Sequence, residues 1–258
     1  MKPPIKYLHI GTSSVFFGPL IDTIEREFSI EEHLFILTKT SLDGDLAKQK
    51  CVRLFNAKYP TSIYYYVLII WHALRAEKIF FHGLFDPKSM AILYLTKFWE
   101  KKAFWVAWGG DLYDRYHPIK GWGTKLLRHV RRSIINRVGH IVTYIRGDYE
   151  RAAEWFGCTA KYHECFMYPS NLYKELPHTH QKGTSLNIMV GNSAANANKH
   201  AEIFTKLAKG LPSTAKVYAP LSYGDKNYKE KVLALGYRLL GEKFVPITEL
   251  LGANEYTK

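Results

Sequence analysis

The sequence predicts an α/β protein built on parallel sheets with helices on both faces. Short apolar, β-branched or aromatic runs alternate with helix-length segments along most of the 258 residues. Apolar residues make up 47% and aromatics 15%, enough for a sizeable core and far from a disordered or collagen-like composition. The alternation breaks once, over residues 166–185, which predicts two domains joined by a linker.

The elements run in order. Ile5–Ile10 reads as a strand ending in Gly11-Thr-Ser-Ser, Gly18–Phe28 as a helix, and His33–Thr38 as a strand. Thr61–Ala76 is a helix preceded by Pro60, and Pro87–Glu100 a helix opened by proline, the residue favoured at the first helical turn. Between them Lys78–His82 is a strand ending in Gly83. Strand Ala103–Ala107, helix Gly121–Arg137, strand Gly139–Ile145 and helix Asp148–Phe156, closed by Gly157, complete a first Rossmann-like domain over 1–165. Residues 166–185 hold prolines and no periodicity, as a linker does. The rhythm restarts with strand Leu186–Val190, helix Ala197–Leu207, strand Lys216–Pro220, helix Asn227–Leu235 and strand Phe244–Ile247. Since doubly wound domains usually carry about five or six strands, residues 186–258 are expected to be an incomplete second Rossmann-like domain.

Ligands of open α/β sheets bind where strand ends lead into helices, and four such loops carry more than a turn requires. In Phe80-Phe-His82-Gly83-Leu-Phe-Asp86-Pro87, the imidazole of His82 can act as general base or acid, or sit as a core histidine bonded to backbone. In Trp108-Gly109-Gly110-Asp111-Leu-Tyr113, the glycines admit close backbone approach, and Asp111 can be a base, a sugar-hydroxyl acceptor or a helix cap. In Tyr144-Ile-Arg146-Gly147-Asp148, Arg146 offers forked donors to phosphate, the alternative being a surface ion pair beside a capping Asp148. In Val190-Gly191-Asn192-Ser193, free backbone N–H groups at the following helix start favour a diphosphate, although neither a Walker loop nor a Gly-x-Gly-x-x-Gly fingerprint is present. Tyr218-Ala-Pro-Leu-Ser-Tyr223-Gly224 adds a loop at the same face.

Other signals are weaker. Asp43-Gly-Asp45 has Asp-x-Asp spacing but reads first as a turn, and Cys158, His163 and Cys165 lack the tight pair of a zinc site. Three scattered cysteines fit a reduced, cytoplasmic compartment. No stretch reaches the ~18 apolar residues of a spanning helix, and the start lacks the pattern of a signal peptide. Lys plus Arg outnumber Asp plus Glu by 36 to 23, a net charge of +13. Eight of those cations lie between Arg115 and Gly147, a span with no carboxylate. Trp122, Leu126, Val130, Ile134 and Val138 recur there every four residues, an apolar stripe on a basic helix that suits either an anionic membrane surface or the domain core. No nucleic-acid motif accompanies the charge, so nucleic acid is not expected as a partner.

These segments together resemble a known family, the bacterial TDP-N-acetylfucosamine:lipid II N-acetylfucosaminyltransferases of enterobacterial common antigen synthesis. The matching pieces are Phe80-Phe-His-Gly-Leu-Phe-Asp-Pro87, Trp108-Gly-Gly-Asp-Leu-Tyr113, Arg137-Val-Gly139, Arg146-Gly-Asp148, Val190-Gly-Asn-Ser193 and Pro220-Leu-Ser-Tyr-Gly224, in the family's order and approximate spacing. The family usually has Ala where Gly110 stands, and its members run on well beyond Lys258. The resemblance implies a GT-B glycosyltransferase with two Rossmann-like domains and no metal or other cofactor. It would move 4-acetamido-4,6-dideoxy-D-galactose from a TDP-sugar donor to a polyprenyl-diphosphate-linked saccharide, peripherally on the cytoplasmic side of the inner membrane. His82 or Asp111 would then be the base, and Arg146, Asp148, Gly191, Asn192, Ser193 and Tyr223 would serve the donor. Transfer of another nucleotide sugar in capsule or lipopolysaccharide synthesis, and an inactive remnant, are the competing readings.

Overall fold

The first sheet has strands β1 (Tyr7–Thr12), β2 (His33–Lys39), β3 (Val52–Asn56), β4 (Lys78–His82), β5 (Ala103–Val106), β6 (His140–Thr143) and β7 (Lys161–Glu164). All pair in parallel, in the order β3-β2-β1-β4-β5-β6-β7. The computed structural model describes residues 4–14, 16–40, 44–56, 63–113, 121–166 and 186–249. The expected linker beyond residue 166, Asp43, Arg115, Lys120 and residues 250–258 lie outside them. The chain divides into two compact units, Met1–Asn171 and Leu172–Lys258.

Alternation along the strands assigns the faces of the first sheet. Leu8, Ile10, Leu34, Ile36, Ile79 and Phe81 point to one face, where they pack with α2 (Ile63–Arg75), α3 (Pro87–Leu95), α4 (Trp122–Arg137) and α5 (Arg146–Phe156). The intervening residues Phe35 and Leu37 point to the other face, under Phe17, Ile21 and Ile24 of α1 (Phe17–Glu27). Each such fully buried side chain contributes about 1.5–3 kcal/mol through lost apolar exposure. On the α1 face, register brings Phe35, His9, Phe80, Phe104 and His140 side by side across five strands. Their rings stack with centroids 4.1, 4.9, 5.0 and 4.1 Å apart.

The second sheet is also parallel, with β8 (Asn187–Met189), β9 (Lys216–Pro220) and β10 (Phe244–Ile247) in the order β10-β9-β8. Helices α6 (His200–Leu207) and α7 (Lys226–Leu240) close its core around Phe204, Val217, Val232 and Phe244. The α/β class with parallel sheets is therefore as the sequence predicts.

Four local differences have physical causes. Strands β3 and β7 were not expected, because both are sheet edges whose half-exposed residues interrupt an apolar run with Arg53, Lys161 and Glu164. Helix α3 stops at Leu95 instead of Glu100, where the buried indole of Trp99 donates to the carbonyls of Leu93 (3.1 Å) and Thr96 (2.7 Å). Helix α6 opens at His200 instead of Ala197, after a left-handed Lys199 (φ 50°). The α4 stripe is not one face: Trp122 is 78% exposed and Leu126 46%, while Ile134 and Val138 are buried. A four-residue step turns an α-helix about 40° past a full turn, so five residues so spaced sweep from solvent into the core.

Candidate functional site

Chain connections leave β1 in opposite directions: β2 and β3 to one side, β4 through β7 to the other. The carboxyl ends of β1 and β4 therefore flank the topological switch point, the crevice where open α/β sheets take ligands. Gly11, next to last in β1, stands there opposite His82 at the end of β4. A Cβ on Gly11 would lie 3.0 Å from that of His82, so close approach of the two strand ends favours glycine. The turn beyond is tied down, with Ser13 Oγ and Thr40 Oγ1 3.1 Å apart and the Thr40 N–H donating to Ser13 Oγ.

His82 is 6% exposed, and Phe17 meets its ring edge-on. Its Nε2 lies 3.0 Å from His9 Nδ1, while its Nδ1 is buried with no partner among the described residues. Burial pushes its pKa down to about 3, so the imidazole is neutral. His9 Nε2 in turn lies 3.0 Å from His33 Nδ1. Neither His9 nor His33 was singled out from sequence. They join His82 through strand register, and nothing local in the chain signals it.

Asp111 is fully buried and its carboxylate accepts four hydrogen bonds. Oδ2 takes the Leu84 N–H (3.0 Å) and the Trp105 indole N–H (2.6 Å); Oδ1 takes the N–H groups of Trp108 and Leu112 (3.1 Å each). Burial pushes its pKa above the ordinary carboxylate value, against the Trp105, Leu84 and Trp108 donors, which pull it down. The buried Arg131 donates from Nε to the Leu84 carbonyl at 3.0 Å. Asp111 and Arg131 thus hold the N–H and the carbonyl of Leu84 and fix the loop after His82. That loop also needs Gly83, whose φ is +76° and where a Cβ would fall 2.3 Å from the Phe85 ring.

Asp148 stands in the first turn of α5, buried, and accepts from Tyr113 Oη at 2.6 Å. It links the loops after β5 and β6. Arg146, two residues before it, is exposed and pairs with Glu150 at 3.3 Å. That is the surface pair weighed for it from sequence.

In the second unit the turn after β8 is likewise constrained. Gly191 has φ +72°, and a Cβ there would lie 2.7 Å from His200 Nε2. Asn192 Oδ1 accepts from Ser193 Oγ (3.2 Å) and Asn198 Nδ2 (3.1 Å), and Asn198 also donates to the Ser193 carbonyl at 2.7 Å. The loop after β9 is clasped to it: the Ala194 N–H donates to the Tyr223 carbonyl (2.8 Å) and the Asp225 N–H to the Ala194 carbonyl (3.0 Å). The Tyr223 side chain is 56% exposed. Gly191, Asn192, Ser193 and Tyr223 are thus gathered at the carboxyl edge of the second sheet. The candidate residues His82, Asp111, Arg146 and Asp148 stand at the carboxyl edge of the first.

In Rickettsia bellii, UDP-N-acetylglucosamine 2-epimerase has a similar fold, with TM-score 0.53 and 11% identity over 98% of this chain and 71% of that one. A family model described as 4-alpha-L-fucosyltransferase, glycosyl transferase group 56, matches residues 15–257. With nearly all of its residues within that model, this chain belongs to the group 56 glycosyltransferases, a family of hexosyl-transferring enzymes.

Proposed function

We propose that the chain transfers 4-acetamido-4,6-dideoxy-D-galactose from its TDP-sugar to a polyprenyl-diphosphate-linked saccharide, within a two-domain GT-B arrangement. The observation that carries this reading is His82 at the switch point of the first sheet, with a buried Nδ1 that has no partner among the described residues. A neutral imidazole can accept the proton of an attacking sugar hydroxyl. In this reading His82 is the base. Asp111, with its acceptor positions taken by the loop, positions the peptide next to His82. The clasped turns at Gly191–Ser193 and Tyr223 receive the donor diphosphate and nucleotide, and Asn192 and Ser193 supply polar side chains there. In the first unit, Arg146 and Asp148 are the residues assigned to the donor, the guanidinium being suited to phosphate charge.

The acceptor's diphosphate and hydrocarbon chain call for an anionic membrane surface, and α4 supports one. Lys125, Arg128, His129 and Arg132 line a cleft of about 490 Å3 with Glu154 and Trp155 of α5, cations outnumbering the one carboxylate. Trp122 and Leu126 stand exposed on the same helix, and Leu95, at the end of the neighbouring α3, is 78% exposed. Cations beside exposed apolar side chains suit the headgroup boundary of a bilayer, with the enzyme peripheral on its cytoplasmic side. No helix among the described residues is long and apolar enough to cross a membrane.

The test is a transfer assay on a panel of TDP- and UDP-sugars with a polyprenyl-diphosphate-linked disaccharide as acceptor. The expected result is product with TDP-4-acetamido-4,6-dideoxygalactose alone. Preferential turnover of a UDP-sugar would replace this donor assignment.

A further inference from the structure

A row of three buried imidazoles leads away from His82 across the sheet. His82 Nε2 to His9 Nδ1 and His9 Nε2 to His33 Nδ1 are both 3.0 Å. The residues are 6%, 4% and 9% exposed. They stand on β4, β1 and β2, each offset by two positions in register from the next, so they share one face along a diagonal. His82 ends β4 at the carboxyl edge, and His33 opens β2 at the opposite edge. The row therefore spans the sheet. His9 is held between the rings of Phe35 and Phe80, with centroids 4.1 and 4.9 Å away.

Hydrogen bonding allows this row two neutral arrangements, because a neutral imidazole carries one N–H. With the proton of His9 on Nε2, it donates to His33 Nδ1 and accepts from His82 Nε2–H. His82 Nδ1 is then a bare lone pair, and the outer N–H of His33 is on Nε2. With the proton of His9 on Nδ1, every bond reverses and His82 Nδ1 carries a proton. The second arrangement buries an N–H donor that has no acceptor among the described residues, a costly state. The first is therefore the resting one, with the lone pair of His82 Nδ1 buried and unbonded at the carboxyl end of β4.

We propose that His82, His9 and His33 form a proton relay that carries the acceptor hydroxyl's proton from the switch point to water at the far edge of the sheet. This rests on the reading of His82 as the base. An electron pair of the hydroxyl oxygen forms the new bond to the anomeric carbon. The bond from that carbon to the phosphate oxygen breaks, and its electron pair leaves with the nucleoside diphosphate. The hydroxyl proton passes to His82 Nδ1. One proton crosses from His82 Nε2 to His9 Nδ1, one from His9 Nε2 to His33 Nδ1, and one leaves His33 Nε2 for water. The reverse shift after product release restores the row, taking a proton from water at His33 and returning one at His82. No ring is left charged. This matters because burial disfavours a charge on His9 and on His82, which alone would make His82 a weak base. The charged and titratable neighbours lie at the outer end, where His33 adjoins Glu32, itself paired with Lys6, and the ring of Tyr7. His9 feels only the other two histidines, and Phe17 packs on His82.

The first test is long-range 1H–15N spectroscopy of the full chain labelled at histidine, with each signal assigned by substitution. The relay requires all three as Nε2–H tautomers. A proton resting on His82 Nδ1 would overturn it. The second is transfer kinetics of two variants that keep the wild-type circular dichroism. His9→Phe fills the slot between Phe35 and Phe80 and cuts the row, and His33→Ala opens its outer end. The expected result is a fall in kcat of about a hundredfold in both with donor KM unchanged. Added imidazole should restore His33→Ala and leave His9→Phe impaired. Wild-type kcat in either variant, or a slow His33→Ala that imidazole does not restore, would refute the relay. Should either variant lose the wild-type spectrum, His9→Gln and His33→Gln take its place under the same criteria. Failure of the underlying functional reading shows itself differently, as absence of transfer by the wild-type chain with every sugar of the panel.

Discussion

Replacing Asp111 tests whether this carboxylate organises the loop after β4. In Asp111→Ala, three backbone N–H groups and the Trp105 indole N–H lose their shared acceptor in a fully buried place. An unsatisfied buried donor costs about 1–3 kcal/mol, so even the low end predicts a loss of about 4 kcal/mol. Asp111→Asn keeps one oxygen, and each oxygen serves two of the four donors, so about half that loss is expected. The assay is urea unfolding followed by tryptophan fluorescence. Trp71, Trp99, Trp105, Trp108, Trp122 and Trp155 all lie in the first unit, so the signal reports that unit without interference from the second. Unfolding free energies within about 1 kcal/mol of wild type for Asp111→Ala, or equal losses for Ala and Asn, would refute the reasoning.

Further outcomes follow from the same geometry. His82 is neutral in the fold with a pKa of about 3 and titrates near 6.5 when unfolded. Its contribution is intact above pH 6.5 and is lost as the pH falls toward 3, by about 2 kcal/mol at pH 5; unfolding titrations of wild type against His82→Phe measure it as a shallower acid loss in the variant. Gly224 has φ +117°, and a Cβ there would lie 2.5 Å from the Ala194 carbonyl. Gly224→Ala should therefore open the clasp between the second-unit loops at a cost of about 1–3 kcal/mol and weaken dTDP binding by about tenfold or more, as read by calorimetry. Arg146→Ala removes an exposed pair with Glu150, so stability should stay within about 0.5 kcal/mol while donor KM rises. Combined replacement of Lys125, Arg128 and Arg132 by Ala should reduce flotation with anionic vesicles about a hundredfold, at roughly 1 kcal/mol per cation.

Much of the fold was legible because buried parallel strands write themselves as apolar runs. Strands β4, β9 and β10 fall on the predicted residues, and β2 nearly so. Edge strands β3 and β7 were not legible, since a strand with one neighbour and a wet face has no such run. Site legibility divides in the same way. His82 and the glycines beside the turns stand out because their residue types, next to strand ends, serve chemistry or unusual backbone. The partners that decide what those residues do lie far away in the chain, His9 73 positions from His82 and Leu84 47 from Arg131.

By itself the sequence determined the α/β class, the ends of several strands and the residue types that mark the family. Only the tertiary structure decided the rest. It made Asp111 a clamp with its acceptor positions filled and turned the α4 stripe half outward. It also set three histidines in line across neighbouring strands. Periodicity and composition are local quantities, whereas hydrogen-bond satisfaction and register depend on which distant strands pair, and that is settled only when the sheet forms.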